Sequence, residues 1–429
     1  MGLLVLAAVV GVVASLAAWG FLQLVHQAQV LAYTDLPKGL GFDGTPRWWS
    51  LPVLAITGLV VAFAIVRLPG GGGHVPAEGL KTSGATQPVE LPGVILAGLA
   101  SIGLGVVLGP EAPLIAVGGA LGILTIRLLQ RDAPPEAEIV LAASGTFAAV
   151  SLIFDSPVIA AIILIEATGL GGPRLPLVLV PGLLAAGIGS LVSIGMGSWT
   201  GLSTSDYALG TLPVPDFPRP DLVDFLWTIP LAVAIAVVSV VVFRLAREVQ
   251  RVVTPRPFLL LPLSGIAISG LAIAFSEASG KNPDQVLFSG QDALPGLISQ
   301  AGTWSLSALA LLIAFKGLAW SISLAGFRGG PTFPALFLGA AIGLMAAQLP
   351  GFSVAPAVAV GIGAAVASVL RLPLSAVVLA AVLTSPAPGA GPLIIVGVVV
   401  AYMTTLALSG PGQTPPAAGN AVARAKPAV

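Results

Sequence analysis

Residues 106–122 read VVLGPEAPLIAVGGALG, and their single charged side chain, Glu111, stands between two prolines. The chain on either side of this stretch is almost purely apolar. Proline is favoured in the first turn of a helix, where its missing N–H leaves no hydrogen bond unmade. A glycine before it lets the backbone approach a neighbour closely. The stretch therefore predicts a helix that begins near Pro110 and carries Glu111 on its first turn.

The composition is that of a membrane protein. Of the 429 residues, 56% are hydrophobic and 8% are charged, whereas a soluble protein has about 25% charged residues. Apolar runs of roughly 20 residues, the first over 3–25, are long enough to span a bilayer. No basic segment precedes that first run, so we interpret it as a transmembrane helix and not as a cleaved signal peptide. Longer runs hold an internal proline, such as Pro157 or Pro373, which predicts broken helices. We expect an all-α integral membrane protein of many tilted and broken transmembrane helices.

Composition also argues against other classes of protein. The net charge is zero, so no basic face is available for nucleic acid. The absence of cysteine excludes disulfides, iron–sulfur clusters and thiol catalysis. Two histidines, His26 and His74, do not suggest a histidine-built metal site. The apolar runs hold no nucleophile paired with a base and no cluster of metal ligands. We therefore expect no enzyme, no cofactor and no metal.

The opening stretch recurs later in the chain. GPEAPLIAVGGALG (109–122) aligns with GPTFPALFLGAAIG (330–343), and residues 145–168 align in the same way with 361–384. The identities in the first pair of blocks are Gly109, Pro110, Pro113, Gly118, Ala120 and Gly122 with Gly330, Pro331, Pro334, Gly339, Ala341 and Gly343. Repeats of this kind flank a binding site near the membrane midplane in many transporters.

The repeat predicts the domain organisation. We expect one transmembrane domain over residues 1–410, made of two repeats at about 1–210 and 220–410, with the boundary in the polar loop 201–225. Residues 411–429 are expected to form a disordered cytoplasmic tail, with no cytosolic regulatory domain. The loop 244–257 carries four arginines and is therefore expected to face the cytoplasm, which puts 276–296 outside.

The two GPxxP blocks predict an anion site. Unpaired N–H groups at a helix N-terminus carry partial positive charge and attract anions, and they hold an ion weakly enough for conduction. A carboxylate at Glu111 can occupy such a site, compete with a mobile anion and leave when it is protonated. The second repeat has Thr332 at this place, so only one of the two repeats carries a carboxylate, which fits a single gate. The alternative is that Glu111 is a helix cap with no further role. The residues expected to bind the anion are Gly109, Pro110, Ala112, Gly330, Thr332 and Phe333.

These blocks resemble those of a known family. GPEAP (109–113), GGPTFP (329–334) and FDSPVIAAIILIEAT (154–168) are similar to motifs of the CLC family of chloride channels and proton/chloride exchangers, and the resemblance extends over about 70–385. It implies a CLC-type inverted repeat and a homodimer in which each subunit has its own chloride pathway. It also implies that Glu111 gates the outer side of that pathway.

The sequence departs from the family pattern around the anion. GGGHVP (71–76) stands where the family has a GSGIP block, so that Gly73 takes the place of the serine. The resemblance then leaves backbone N–H groups and His74 as donors, unless His74 is a loop residue in solvent. Pro331 has no N–H to offer, and the family's tyrosine near the C-terminus has no counterpart. The preferred anion therefore stays open, with fluoride, nitrate and bromide beside chloride.

A second departure bears on proton coupling. The exchangers of the family carry two successive glutamates, whereas here Glu166 is followed by Ala167. Glu166 either replaces the inner proton relay or is a carboxylate at a helix end. We therefore expect chloride transport along a channel-like pathway gated by Glu111, with a proton-coupled chloride or halide exchanger as the alternative. Compact loops favour a bacterial inner membrane.

Overall fold

The computed structural model describes residues 2–79, 86–130, 133–169, 172, 175–201 and 208–409. Helices dominate this part of the chain. The first half contains α1 (Gly2–Val30), α2 (Leu36–Gly39), α3 (Ser50–Arg67), α4 (Leu91–Gly103), α5 (Glu111–Leu129), α6 (Pro135–Ile153), α7 (Pro157–Thr168) and α8 (Leu175–Thr200). The second contains α9 (Leu222–Val253), α10 (Pro257–Ser279), α11 (Ala293–Ser299), α12 (Leu306–Gly326), α13 (Thr332–Ala346), α14 (Val354–Leu370), α15 (Pro373–Leu383) and α16 (Gly391–Ser409).

The helices fall into long and short classes. Within the described ranges, nine helices are long and apolar enough to cross a membrane. Five other apolar helices have 10–17 residues, among them α7, α13, α14 and α15, and so are shorter than the roughly 20 residues that a span needs. This confirms the predicted all-α membrane fold with broken helices.

The predicted breaks at Pro157 and Pro373 are present. The chain turns between α6 and α7, where Asp155 has a φ of 47°, and between α14 and α15, where Arg371 has a φ of 59°. Pro157 and Pro373 then start α7 and α15. A proline inside a helix removes one backbone hydrogen bond and favours a break there, whereas a proline in the first turn removes none. The same device therefore breaks the chain at equivalent places in the two halves.

The two halves pack their helices in the same pairs. Helix α5 packs against α6, and in the second half α13 packs against α14. Helix α8 packs against α1 and α6, and in the second half α16 packs against α9 and α14. Glycine makes the first pair of contacts possible, because a Cβ on Gly118 would overlap the carbonyl oxygen of Gly145. A Cβ on Gly339 would overlap that of Gly361 in the same way. The aligned glycines of the sequence repeat are thus points of close helix approach.

The segment between the halves binds to both of them. The Leu209 N–H donates to the Ile153 carbonyl at 2.9 Å, and the Leu212 N–H donates to the Leu383 carbonyl at 2.7 Å. This segment therefore joins the end of α6 to the end of α15. Helix α8 ends at Thr200 and α9 begins at Leu222, so the loop predicted at 201–225 covers this connection and the first residues of α9. The predicted tail, 411–429, lies outside the described residues.

Candidate anion site

Two helices meet with their N-termini facing each other. Gly109 and Gly330 form an isolated antiparallel bridge. The Gly109 N–H donates to the Gly330 carbonyl at 2.8 Å, and the Gly330 N–H donates to the Gly109 carbonyl at 2.7 Å. Helices α5 and α13 start two residues further on. The two blocks of the sequence repeat are therefore brought together by backbone hydrogen bonds.

The prolines lie one residue earlier relative to the helices than the sequence suggests. Pro110 and Pro331 are the cap residues, and α5 and α13 begin at Glu111 and Thr332. A cap residue also needs no intrahelical N–H bond, so proline is as compatible with this place as with the first turn. One consequence is that the Thr332 N–H, and not a proline, stands at the start of α13.

The Glu111 side chain crosses from its own helix to the other. Glu111 is 4% exposed, and its Oε1 accepts a hydrogen bond from the Thr332 N–H at 2.5 Å. The carboxylate thus lies at the N-terminus of α13, where the helix dipole and free N–H groups favour negative charge. Its other oxygen, Oε2, is buried and has no hydrogen-bond partner in the described part of the chain. The protein's own anion occupies the helix end that the sequence predicts for a mobile one.

Two glycines and a pair of stacked aromatic rings lie around this carboxylate. A Cβ on Gly330 would overlap the Glu111 carboxyl group, and a Cβ on Gly109 would meet both Glu111 and Phe333. Phe333 is buried and stacks on Phe154, with ring centroids 5.6 Å apart and planes 10° apart. Glycine backbone therefore borders the carboxylate on two sides, and an aromatic ring borders it on a third. Phe154 comes from the other half of the chain. It opens the block 154–168 that resembles the family, but its place at this site was not predicted from the sequence.

The remaining predicted donors lie in the glycine loop before α4 and on α5. Gly73 has a φ of 96°, a conformation that favours glycine, and it packs against Val94. The His74 ring Nε2 pairs with the carbonyl oxygen of Gly79, which ties the imidazole to its own loop. Ala112 is the second residue of α5 and is partly buried. The structure groups Gly109, Pro110, Gly330, Thr332 and Phe333 around Glu111, whereas His74 is directed elsewhere.

Arg328 joins the glycine loop to the second block, a role that the sequence did not suggest. This arginine is 7% exposed, and its guanidinium donates to the Gly71 carbonyl at 3.2 and 3.3 Å. It also donates to the carbonyls of Gly326 and Phe327, at the end of α12. Carbonyl oxygens that a helix end leaves unpaired are thereby satisfied.

One serine from each half forms a hydrogen bond with the backbone that leads into the block of the other half. The Arg328 N–H donates to Ser101 Oγ of α4 at 3.1 Å, and the Val107 N–H donates to Ser323 Oγ of α12 at 3.2 Å. All four residues are buried. Each half thus supplies a hydroxyl to the strand-like turn that leads into the other half's helix.

Glu166 lies at a different helix end. Its Oε1 accepts from the Leu374 N–H at 2.9 Å, and its Oε2 accepts from the Ser375 N–H at 2.7 Å and the Ser375 hydroxyl at 2.6 Å. Glu166 belongs to the last turn of α7, and Ser375 to the first turn of α15. The end of α7 therefore meets the start of α15, and Glu166 caps α15. A carboxylate at a helix end is one of the two alternatives of the sequence analysis, and these hydrogen bonds identify the groups that Glu166 contacts.

A buried lysine is the second ionisable group that sequence reading missed. Lys316 of α12 has no exposed surface. Its ammonium donates to the carbonyls of residues 285–288, at 2.9, 3.3, 3.0 and 3.3 Å in chain order. It also lies 4.4 Å from the centre of the Phe337 ring on α13. Phe337 is one helical turn beyond Phe333, so Lys316 stands behind the anion site.

A multi-pass helical protein with paired helix N-termini and a carboxylate between them is of the class that passes small anions through a membrane. Residues 57–406 match the family described as voltage gated chloride channel. The chain belongs to this family, the CLC family, whose members are transporters and channels.

Curated relatives and solved structures agree with this assignment. The chain is 32% identical to the putative ion-transport protein YfeO of Escherichia fergusonii over 345 residues, which are 79% of this chain and 77% of that protein. It is equally similar to the YfeO protein of Escherichia coli, over the same shares of the two chains. The bacterial relatives and the spanning helices indicate a multi-pass protein of a bacterial inner membrane.

Three solved structures share the fold. A slow cyanobacterial Cl⁻/H⁺ antiporter has a TM-score of 0.77 at 22% identity, over 99% of this chain and 98% of that one. A CLC-type fluoride/proton antiporter has a TM-score of 0.67 at 19% identity, over 94% of both chains. A eukaryotic CLC transporter has a TM-score of 0.70 at 16% identity, over 98% of this chain and 73% of that one.

Proposed function

We propose that this protein conducts chloride, or a similar small anion, along a channel-like pathway that the Glu111 side chain gates. The observation that supports this proposal is the position of the Glu111 carboxylate, whose Oε1 lies 2.5 Å from the backbone nitrogen of Thr332 at the start of α13. A mobile anion that binds to this helix end must displace the carboxylate. Glycine on both sides of it leaves backbone rather than side chain to border the ion, and this suits an ion without its full hydration shell.

The hydrogen bonds of Glu166 support the channel-like form over coupled exchange. Both of its oxygens accept from the first turn of α15, so this carboxylate is engaged as a helix cap. Position 167 holds alanine, which cannot carry a proton. With these two residues the chain offers no evident inner proton acceptor on α7.

Proton-coupled exchange is the second candidate. It is favoured by the likeness to a Cl⁻/H⁺ antiporter and to a fluoride/proton antiporter. In that case Glu111 would carry the proton as well as gate the anion, and water or Glu166 would complete the inner route. By the same family likeness, we infer that the protein functions as a homodimer.

The test is anion efflux from liposomes that hold the purified protein, with internal pH recorded and Glu111→Gln beside the wild type. We expect chloride efflux without proton movement, regulated by external pH in the wild type and independent of it in Glu111→Gln, because an amide cannot lose a proton. Glu277→Gln is the matched control, since Glu277 lies in an exposed ion pair with Arg47 and should behave as the wild type.

Two other outcomes would change the conclusion. Uphill proton movement driven by a chloride gradient would replace the channel-like reading with exchange. Absence of chloride efflux in both proteins would overturn chloride as the substrate, and the same liposomes would then be loaded with fluoride, nitrate or bromide.

A further inference from the structure

Three arginines from separate parts of the second half lie together at the end of α16. Arg244 and Arg247 belong to α9, and Arg371 lies between α14 and α15. The Arg244 guanidinium donates to the Leu408 carbonyl, and Arg371 Nη2 donates to Ser409 Oγ at 2.9 Å. Leu408 and Ser409 are the last two residues of α16. We call Arg244, Arg247 and Arg371 the arginine cluster.

The positive charges of the arginine cluster lie close enough to act on one another. The charge of Arg247 disfavours that of Arg371. Among the described residues, neither Arg244 nor Arg247 forms an ion pair with a carboxylate. Glu248, which follows Arg247 directly on α9, pairs with Arg251 at 2.7 Å. An anion from outside the chain would therefore offset the charge of Arg244 and Arg247.

Local structure accounts for only part of the arginine cluster. Helix C-termini favour cations, which explains one arginine at the end of α14 and one at the end of α16. It does not explain Arg247, whose Nε donates to the Phe243 carbonyl of its own helix at 3.2 Å. Arg371 also has a φ of 59°, in the left-handed region where glycine and asparagine are favoured. Residues 410–429, which follow in the sequence, contain no aspartate or glutamate.

The arginine cluster lies at the cytoplasmic surface of the membrane. The loop 244–257 carries four arginines, and this charge bias assigns it to the cytoplasmic side. The spanning helix α16 ends at the cluster, whereas α9 continues for about 14 Å beyond Arg244, at 1.5 Å per residue. Helix α9 therefore leaves the membrane close to Arg244, at the depth of the lipid headgroups.

The face of α9 that leads to the arginine cluster is apolar and exposed. Val237, Val241 and Leu245 follow one another at intervals of four residues, and all three are exposed. Residues three or four apart share a helix face, so Arg244 lies on the same face as Val241. A lipid whose acyl chains pack along this face would bring its headgroup to the cluster.

We propose that the arginine cluster binds the headgroup of an anionic phospholipid of the inner leaflet. Guanidinium groups are planar donors that match phosphate oxygens, and basic pockets between helices on the cytoplasmic side bind anionic headgroups in other membrane proteins. Since the cluster has several cations, a headgroup with two phosphates should bind more tightly than one with a single phosphate. The lipid would join α9, the start of α15 and the end of α16. The inference does not depend on which anion the protein transports.

The test is native mass spectrometry of the full-length protein in detergent, with diphosphatidylglycerol, phosphatidylglycerol or phosphatidylcholine added and the bound lipid counted. We expect the wild type to retain diphosphatidylglycerol several-fold more than phosphatidylcholine, and Arg247→Gln to retain it several-fold less than the wild type. Arg251→Gln is the matched control, because it removes the same charge one turn further along α9, from an exposed ion pair with Glu248. It should retain the lipid as the wild type does.

Arg244→Gln is the second variant, and it serves if Arg247→Gln does not fold. Thermal unfolding gives an independent measurement, since added diphosphatidylglycerol should raise the unfolding temperature of the wild type more than that of either variant. Equal retention of the three lipids by the wild type would overturn the site. Equal losses in Arg247→Gln and Arg251→Gln would overturn it too, because they would show a diffuse effect of charge. Displacement of the lipid by soluble glycerophosphate would identify a free phosphate compound as the ligand, and would overturn the lipid.

Discussion

Gly330 leaves the space that the Glu111 carboxylate fills. A methyl group at this position would overlap the carboxyl group, while the backbone N–H of Gly330 is engaged with Gly109. The side chain is therefore the part that must yield. Under the proposed function, the closed state of the gate therefore depends on the absence of a side-chain carbon at Gly330.

We predict that Gly330→Ala displaces Glu111 from the start of α13 and makes anion efflux independent of external pH, as Glu111→Gln does. Since both changes act on one contact, the double variant should match Glu111→Gln, a non-additivity typical of residues that touch. The measurement is liposome efflux at two external pH values. A Gly330→Ala protein whose efflux keeps the wild-type pH dependence would show that the carboxylate does not need this space.

The residues at and around Glu111 could be predicted from the sequence to different degrees. Glu111 stands out as a lone carboxylate in an apolar run, and Thr332 is found by aligning the repeat. Phe154 and Lys316 gave no comparable signal, because their roles come from partners that are distant in the chain. Lys316 in particular pairs with carbonyls, which every residue possesses and no motif records.

At the scale of elements, the Glu166 carboxylate at the end of α7 binds the backbone at the start of α15. The sequence showed that both helices begin with proline, and it left open whether Glu166 was a relay or a cap. The sequence does not show that the end of α7 meets the start of α15, and this contact decides which groups Glu166 binds. Three donors from α15 surround it.

We predict that Glu166→Ala destabilises the protein by on the order of 1–2 kcal/mol, which is the usual cost of losing a helix cap and hydrogen bonds to a charged group. Thermal unfolding in detergent is the measurement, with Glu277→Ala as a control for the loss of an exposed carboxylate. Glutamine at 166 keeps an acceptor oxygen and should recover part of the loss. Unfolding of Glu166→Ala at the wild-type temperature would mean that the cap contributes nothing.

At the scale of the whole molecule, the same close helix contact occurs in each half. Gly118 approaches Gly145, and Gly339 approaches Gly361, with no room for a side chain. These glycines are aligned in the sequence, so their common function follows from the repeat. The partner elements beyond the aligned blocks, such as α1 with α8 and α9 with α16, were not predictable, because lipid-facing and buried apolar helices have similar compositions.

We predict that Gly118→Ala and Gly339→Ala each destabilise the protein by about 1–3 kcal/mol, the usual cost of overpacking a tight contact. Gly187→Ala on α8 is the control, since a Cβ there meets nothing within 4 Å and alanine favours helix. The measurement is again thermal unfolding in detergent. Equal stability of Gly118→Ala and Gly187→Ala would contradict the packing described for α5 and α6.

The bridge between Gly109 and Gly330 also restricts how the gate can move. Many transporters alternate their access by rocking one half against the other, and at this point such a motion would have to break two backbone hydrogen bonds in a place largely shielded from water. Rotation of one glutamate side chain breaks neither of them. Under the proposed function, the scaffold around the ion can therefore stay still during each cycle, and the transport rate depends on how quickly ions and protons reach one rotating side chain.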